Sequence, residues 1–455
     1  MGWKKDNTEF IVGDVSYKND STNSRIKLDE GYAPLINNFE VKGNIDEWKK
    51  ILDIYKTPEH ADFALAIMTG FGAPMFHFTG FDGGVFSLNG TSGAGKSTIL
   101  SVIHSIYGKP TCNTLLKKDT SNSKAAVLSV YNNLPITFDE ITTISGEEAS
   151  QLIFDVTDGR DKQRLNSDAT LKATVRTWGL ILFTTTNRSL TQLVLAYKPE
   201  ASGEMMRIME RRVEALNQME FAQARKKFEP LKENYGLAGQ SLIPWYVENL
   251  EEAVRLLNEF VDKVSDAVSG QIPERFWLSM CGTALLGCHV GSLLNLHNFK
   301  IQDIFDQCCS VILESRATTA AHAKRSIDIL SDFLNNSIGR TLVVRESKKS
   351  VEILVKPRGE LAIRSELVSQ RTYIDCSVLM QYCATNAYDF GQTQKELLSS
   401  KVLLRADATK ALGEGTEYFS GQTKVWVIDT AHNLMSGVVP LTLQGKEDSA
   451  EEAVG

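Results

Sequence analysis

The chain has 455 residues, 42% hydrophobic and 23% charged, an ordinary globular composition too long for one core, so two or three domains are expected. A formal net charge of -7 excludes an indiscriminate nucleic-acid coat protein; any nucleic-acid contact must be concentrated in a local basic loop. Seven scattered cysteines, an odd number, make no disulfide framework, and the longest apolar stretch, 63–78, is too short to span a bilayer and is broken by Gly70, Gly72, Pro74 and His77, so with no secretory signal a soluble, cytoplasmic protein is expected.

In chain order, residues 1–43 mix short β-like runs (Phe10-Ile11-Val12 and 24–28) with Asn, Asp and Gly turns, which predicts a strand-rich α+β piece that would suit a larger upstream region. Two helices come next. Residues 44–55 carry Ile45, Trp48, Ile51, Leu52 and Tyr55 on one face, and Thr57-Pro58-Glu59 supplies an N-cap and first-turn proline for a helix over 59–69. From 85 to about 216 strands and helices alternate, as a mostly parallel sheet with crossover helices demands, so 44–220 is expected to be a nucleotide-binding core. Helical spacing over 242–268, 274–294, 299–315 and 322–335 predicts a helical lid, 221–338. Strands at 341–345, 351–355 and 424–428 with a helix at 377–388 predict a small α+β module, winged-helix-like, over 339–442. The acidic, small-residue tail 443–455 is expected to be disordered.

The chemistry is concentrated in the core. Gly90-Thr91-Ser92-Gly93-Ala94-Gly95-Lys96-Ser97, followed by Thr98, is a complete phosphate-binding loop between an apolar strand and a helical run. Its glycines let successive backbone N–H groups surround phosphates at a helix N-terminus. Lys96 would neutralise β and γ oxygens, and Ser97 would offer a hydroxyl to Mg²⁺, so ATP and Mg²⁺ are the expected cofactors. About forty residues on, Leu134-Pro135-Ile136-Thr137-Phe138 ends in Asp139-Glu140. There Asp139 would hold the Mg²⁺ shell beside Ser97, and Glu140 would activate the attacking water. A third strand, 179–186, ends in Asn187, either a sensor that holds the lytic water or the γ-phosphate, or a plain turn residue in Asn-Arg-Ser.

Between these strands Arg160, Lys162, Arg164, Lys172 and Arg176 make a locally basic segment whose second half reads as a β-hairpin. In a ring-shaped motor it would point into the pore and grip a nucleic-acid backbone; alone it would be a solvated surface hairpin. Arg207, Arg211 and Arg212 come after the sensor strand, where an oligomeric ATPase places its arginine finger; Arg207 is favoured and surface ion pairing is the alternative for each. Arg275 at the start of a lid helix reads as a second sensor or, more simply, a helix-start arginine. Cys281 and Cys288 fall seven apart on an apolar helix as core residues do, and with His289 and His297 give no paired zinc spacing.

Taken together these motifs resemble the P-loop helicase domain of phage and mobile-element replication proteins, related to the AAA+ motors of primase-helicases. The likeness begins at Gly2-Trp3-Lys4 and Phe10-Ile11-Val12-Gly13 and runs through Ala73-Pro74-Met75, the phosphate loop, Phe138-Asp139-Glu140 and Asp158-Gly159-Arg160. It continues with Trp178, Asn234-Tyr235-Gly236-Leu237-Ala238-Gly239 and Glu274-Arg275-Phe276, and so covers about residues 1 to 300. Thr91-Ser92 stands where the family often has two serines, a change that preserves the backbone cradle. The resemblance implies an AAA+-like core with a helical lid, a hexameric ATP-driven helicase on single-stranded or forked DNA, and a primase, fused or associated. Beside it stand a P-loop ATPase that remodels or packages without strand separation, and a scaffold that only binds nucleotide; Glu140 counts against the scaffold.

Overall fold

The computed structural model describes residues 1–435 except 5, 28–29, 112, 164–174, 199–201, 215–225, 323–325, 348–349, 387 and 419–420. The chain divides into two compact units, Met1–Ala320 and Ala321–Gly455.

The first unit opens with a four-stranded antiparallel sheet: β1 (Gly2–Trp3), β2 (Glu9–Val12), β3 (Val15–Lys18) and β4 (Ser24–Arg25). Its inner face carries Trp3, Phe10 and Tyr17 into the same hydrophobic cluster as the parallel sheet described next. The Trp3 indole N–H donates to the Pro74 carbonyl at 2.8 Å, so this indole buries its apolar body without orphaning its donor. The strand-rich piece expected over 1–43 is therefore continuous with the hydrophobic core of the first unit.

At the centre lie β5 (Gly83–Asn89), β6 (Ile136–Phe138), β7 (Leu180–Thr186) and β8 (Ile208–Arg212), in the order β6-β7-β5-β8 and all parallel. Both β5 and β7 are buried along almost their whole length, the near-continuous burial of a parallel sheet covered on both faces. Parallel pairing places every carboxyl end on one edge, where Asn89, Phe138, Thr186 and Arg212 lead into the loops that carry the motifs. The helix Gly146–Thr157 starts on a reciprocal capping box formed by Ser145 and Glu148.

Within the first unit, the helices that follow residue 238 share the hydrophobic cluster of this sheet. Arg275–Leu293 is long and apolar enough to cross a membrane, yet it is mostly buried inside the unit. It packs on Ala61–Gly72 so closely that a Cβ at Gly72 would lie 1.9 Å from the Thr283 carbonyl oxygen, and one at Gly287 2.2 Å from that of Met68. The helix expected over 242–268 is broken: the backbone and side-chain amides of Asn249 both donate to the Trp245 carbonyl at 2.9 Å, ending Gly239–Glu248 before Leu250–Val268 begins. The helix expected over 299–315 runs longer, Ile301–His322, and the lid helices down to it belong to the first unit's core.

The second unit is built on one six-stranded sheet, order β10-β9-β11-β12-β14-β13, from β9 (Thr341–Glu346), β10 (Val351–Val355), β11 (Ile363–Glu366), β12 (Arg371–Asp375), β13 (Leu403–Ala411) and β14 (Gln422–Asp429). Only β9 and β11 pair in parallel. Helices Ser326–Asn336, Cys376–Thr385 and Phe390–Ser399 accompany it, and Phe333, Leu379, Leu397 and Trp426 share its core. Six strands in one sheet take the place of the few short strands expected of a winged-helix-like module. A buried Arg364–Glu366 ion pair at 2.7 Å, with Arg364 also donating to the carbonyls of Leu412 and Glu414, ties β11 to the turn after β13.

His104, on the helix Lys96–Ser105, is buried; its Nδ1 donates to the Lys109 carbonyl at 2.8 Å and its Nε2 has no partner among the described residues. Burial pulls its pKa from 6.5 down to about 4. Between those values the unfolded chain binds a proton that the folded one refuses, so this contribution is complete above pH 6.5 and is lost as pH falls toward 4. At about 1.4 kcal/mol per pH unit the loss is on the order of 3 kcal/mol. The urea midpoint of the wild type should therefore fall more steeply from pH 7 to pH 4.5 than that of His104→Leu; equal slopes would contradict this assignment.

Candidate active site

The phosphate loop leaves β5 under tight steric control. The Gly90 N–H donates to the Thr186 carbonyl at 3.2 Å, and a Cβ at Gly90 would lie 2.2 Å from the Val213 carbonyl oxygen, so only glycine fits. Gly93 and Gly95 hold φ of 84° and 83°, which turns the chain into the helix Lys96–Ser105. Ser97 is exposed and Thr98 half-buried in that helix's first turn, beside the loop's N–H groups. The Lys96 ammonium is buried and folded back over the loop. It donates to the carbonyls of Gly90 and Thr91, each at 2.7 Å, and to Asn187 Oδ1 at 3.1 Å. Burial pulls its pKa below the ordinary lysine value, opposed by the negative charges of Asp139 and Glu140.

Asp139 and Glu140 come directly after β6, and β7 runs between them and the phosphate loop. Asp139 Oδ1 accepts from the Thr185 hydroxyl, and the Asp139 N–H donates to Asn113 Oδ1 at 2.9 Å. The carboxylate of Glu140 is exposed and accepts from Asn187 Nδ2 at 2.6 Å. One amide thus joins Lys96 through its oxygen and Glu140 through its nitrogen. Lys96, Asp139, Glu140 and Asn187, distant in sequence, are brought together at the carboxyl edge of the sheet. The oxygen donors here, the Ser97 hydroxyl and the Asp139 carboxylate whose Oδ2 has no partner among the described residues, suit a hard divalent cation such as Mg²⁺.

The arginines part company. Arg211 is buried, its Nε donating to Asp62 at 2.5 Å and its Nη1 to Glu314 at 2.7 Å, so it ties β8 to Ala61–Gly72 and Ile301–His322 and is not available as a finger. Arg212 is exposed, paired in register with Asn89 beside its own phosphate loop, and has no ion-pair or hydrogen-bond partner among the described residues. Arg207 precedes β8 at the opposite edge of the sheet, roughly 16 Å away at 3.3 Å per residue. Its guanidinium lies against the rings of Phe154 and Phe276, 4.8 and 5.5 Å from their centroids, with Nη1 donating to the Gly203 carbonyl. Arg275 is exposed, its guanidinium 5.5 and 5.7 Å from the ring centroids of Phe81 and Phe276.

The basic segment leaves the core as paired chain: Arg160 bridges Thr177 antiparallel, and the Asp161 N–H donates to the Arg176 carbonyl at 2.9 Å. Arg160 and Lys162 are exposed, while Arg176 pairs with Asp161 at 3.6 Å. Arg164 and Lys172 lie outside the described residues. Thr185 and Asn113, which orient the acids, escape sequence reading; the one available signal is the run Thr184-Thr185-Thr186, unusually polar for a fully buried central strand.

With this geometry in view, residues 1–176 match the family model of DUF927, a domain of unknown function. No curated protein matches the chain. Among solved structures it shares the fold of one described as "SCCmec type IV Cch - active helicase", with a TM-score of 0.61 and 18% sequence identity over 89% of this chain and 73% of that one. This chain therefore has a fold that a helicase uses.

Since Arg211 is the counter-charge of Asp62, Arg211→Ala should lower stability by about 3 kcal/mol in urea denaturation. Arg212→Ala should change it by less than about 0.5 kcal/mol. Equal losses would contradict the division of roles.

Proposed function

We propose that this chain is an ATP-dependent DNA helicase of phage or mobile-element replication, working as a ring, hexameric by resemblance, on single-stranded DNA. The observation that carries its ATP-hydrolysing half is the Asn187 amide joining Lys96 to Glu140 at the carboxyl edge of the parallel sheet, and the likeness in fold to a helicase supports the DNA half. A site that merely binds nucleotide has no use for a carboxylate held within reach of the phosphate-binding lysine. Residues 90–98 cradle the triphosphate, and Lys96 turns from the loop carbonyls to the β and γ oxygens. Glu140 takes the proton of the water that attacks the γ-phosphorus, Asn187 orients that water, and ADP departs with the bridging oxygen. Ser97 and Asp139 would hold Mg²⁺, which when bound neutralises charge on the phosphates.

Arg207 is the proposed finger. Its place at the far edge of the sheet suits a neighbouring subunit's nucleotide, and two aromatic rings fix its direction. Arg160, Lys162 and Arg176 at the hairpin base, with Arg164 and Lys172 beyond, would grip the DNA backbone; a primase would act upstream. The pairing of Arg176 with Asp161 leaves that base mixed in charge, which favours the second reading, an ATPase that moves protein or duplex DNA without separating strands.

The test is ATP turnover with and without single-stranded DNA. Stimulation by DNA, abolished in Lys96→Ala, is expected. Arg160→Ala with Lys162→Ala should weaken DNA binding about tenfold and flatten its salt dependence, with basal turnover unchanged. Unchanged binding would remove the hairpin role. Mixing Arg207→Ala with Glu140→Gln subunits should restore part of the turnover at mixed interfaces; no rescue at any ratio would assign the finger elsewhere.

A further inference from the structure

We propose that Thr185 is the positioning residue of the acid pair, its single hydroxyl setting both the Asp139 carboxylate and the Glu140 backbone. The inference rests on the hydrolytic reading of that pair. The register of β6 and β7 ends at Phe138 opposite Thr184, which places Thr185 opposite Asp139. Thr185 is 2% exposed. Its Oγ1 donates to Asp139 Oδ1 and accepts from the Glu140 N–H at 2.9 Å. A hydroxyl has one proton and an ionised carboxylate only accepts, so the proton is directed at Asp139 and the lone pair at Glu140. Both polar directions are fixed, and the hydroxyl cannot rotate without breaking one bond.

The second bond has a reason. Glu140 holds φ 55° and ψ 54°, a left-handed conformation that disfavours a residue with a Cβ. It persists because its neighbours over-determine it: Thr185 holds the backbone, Asn187 holds the carboxylate, and a strap from Thr184 Oγ1 to the Phe138 carbonyl at 2.7 Å fixes the strand end before it. The sharp turn aims Glu140 at Asn187. The first bond ties down Asp139 Oδ1 and so presents the other oxygen, Oδ2, to a cation. The Thr185 hydroxyl is the one hold that these two acids share among the described residues.

Threonine and valine share shape and strand preference, so Thr185→Val deletes the hydroxyl alone, and Thr185→Ser restores it. Binding of Mn²⁺ in the presence of ADP, followed by electron paramagnetic resonance, reads Asp139 without any turnover. Thr185→Val should weaken Mn²⁺ binding about tenfold, in line with the loss of an outer-shell partner. It should lower kcat for ATP by about 10- to 100-fold while KM stays within about threefold, and Thr185→Ser should return both to near wild type. Wild-type Mn²⁺ binding and kcat in Thr185→Val would overturn the proposal. So would an equal fall in Thr185→Ser, which would make the effect one of packing, or the absence of Mn²⁺ binding in the wild type. If the wild type shows no hydrolysis that depends on Glu140, the hydrolytic reading fails, and the Mn²⁺ measurement alone still decides the role of Thr185.

Discussion

The parallel pairing of β7 between β5 and β6 is the constraint on which the site depends. A strand inserted there sets the backbone of the Lys96 loop and that of the acids two strand spacings apart, roughly 10 Å. The tip of β7 lies between them, and Asn187 joins Lys96 to Glu140 with both ends of one amide. Thr185, two residues earlier, reaches the acids from the same strand. The middle strand therefore supplies the connections, while its neighbours supply the charged groups.

Rigidity beneath that edge comes from the helical layer. The Arg211 guanidinium pairs with Asp62 and Glu314 and so pins the end of β8 to two helices, and Val213, two residues on, lies against Gly90. The Trp277 indole N–H donates to the Ile208 carbonyl at 2.8 Å, and Arg316 holds Glu274 through two bonds at 2.5 and 2.8 Å at the start of the same helix. Ile301–His322 is thus tied through Arg211 to the strand whose end lies against Gly90.

Much of the site was legible in the sequence because its signals are local. The spacing of Gly90, Gly95 and Lys96, the acids after an apolar strand and Asn187 at a strand tip each need only neighbouring residues to be read. The features that escaped depend on distant partners. Arg211 reads like Arg207 and Arg212 until Asp62, 149 residues away, and Glu314, 103 residues away, are seen beside it. Thr185 reads as an ordinary strand residue until β6 is placed opposite. The break at Asn249 is hidden because the apolar face continues in phase through both helices. In the second unit β13, Leu-Leu-Arg-Ala-Asp-Ala-Thr-Lys-Ala, is an edge strand with two register shifts whose apolar positions after Leu404 are only alanines, so its periodicity is too weak to mark it as a strand.

The DNA-moving role is the central claim, since phosphate loop, acid pair and bridging amide would equally serve other motors. Strand displacement on a forked DNA duplex by a verified oligomer, with Glu140→Gln as the control that still binds nucleotide, tests it most directly. ATP-dependent release of the displaced strand by the wild type and none by the variant is the predicted result. ATP hydrolysis without strand release on forks of either polarity would contradict it and leave an ATPase that does not separate strands.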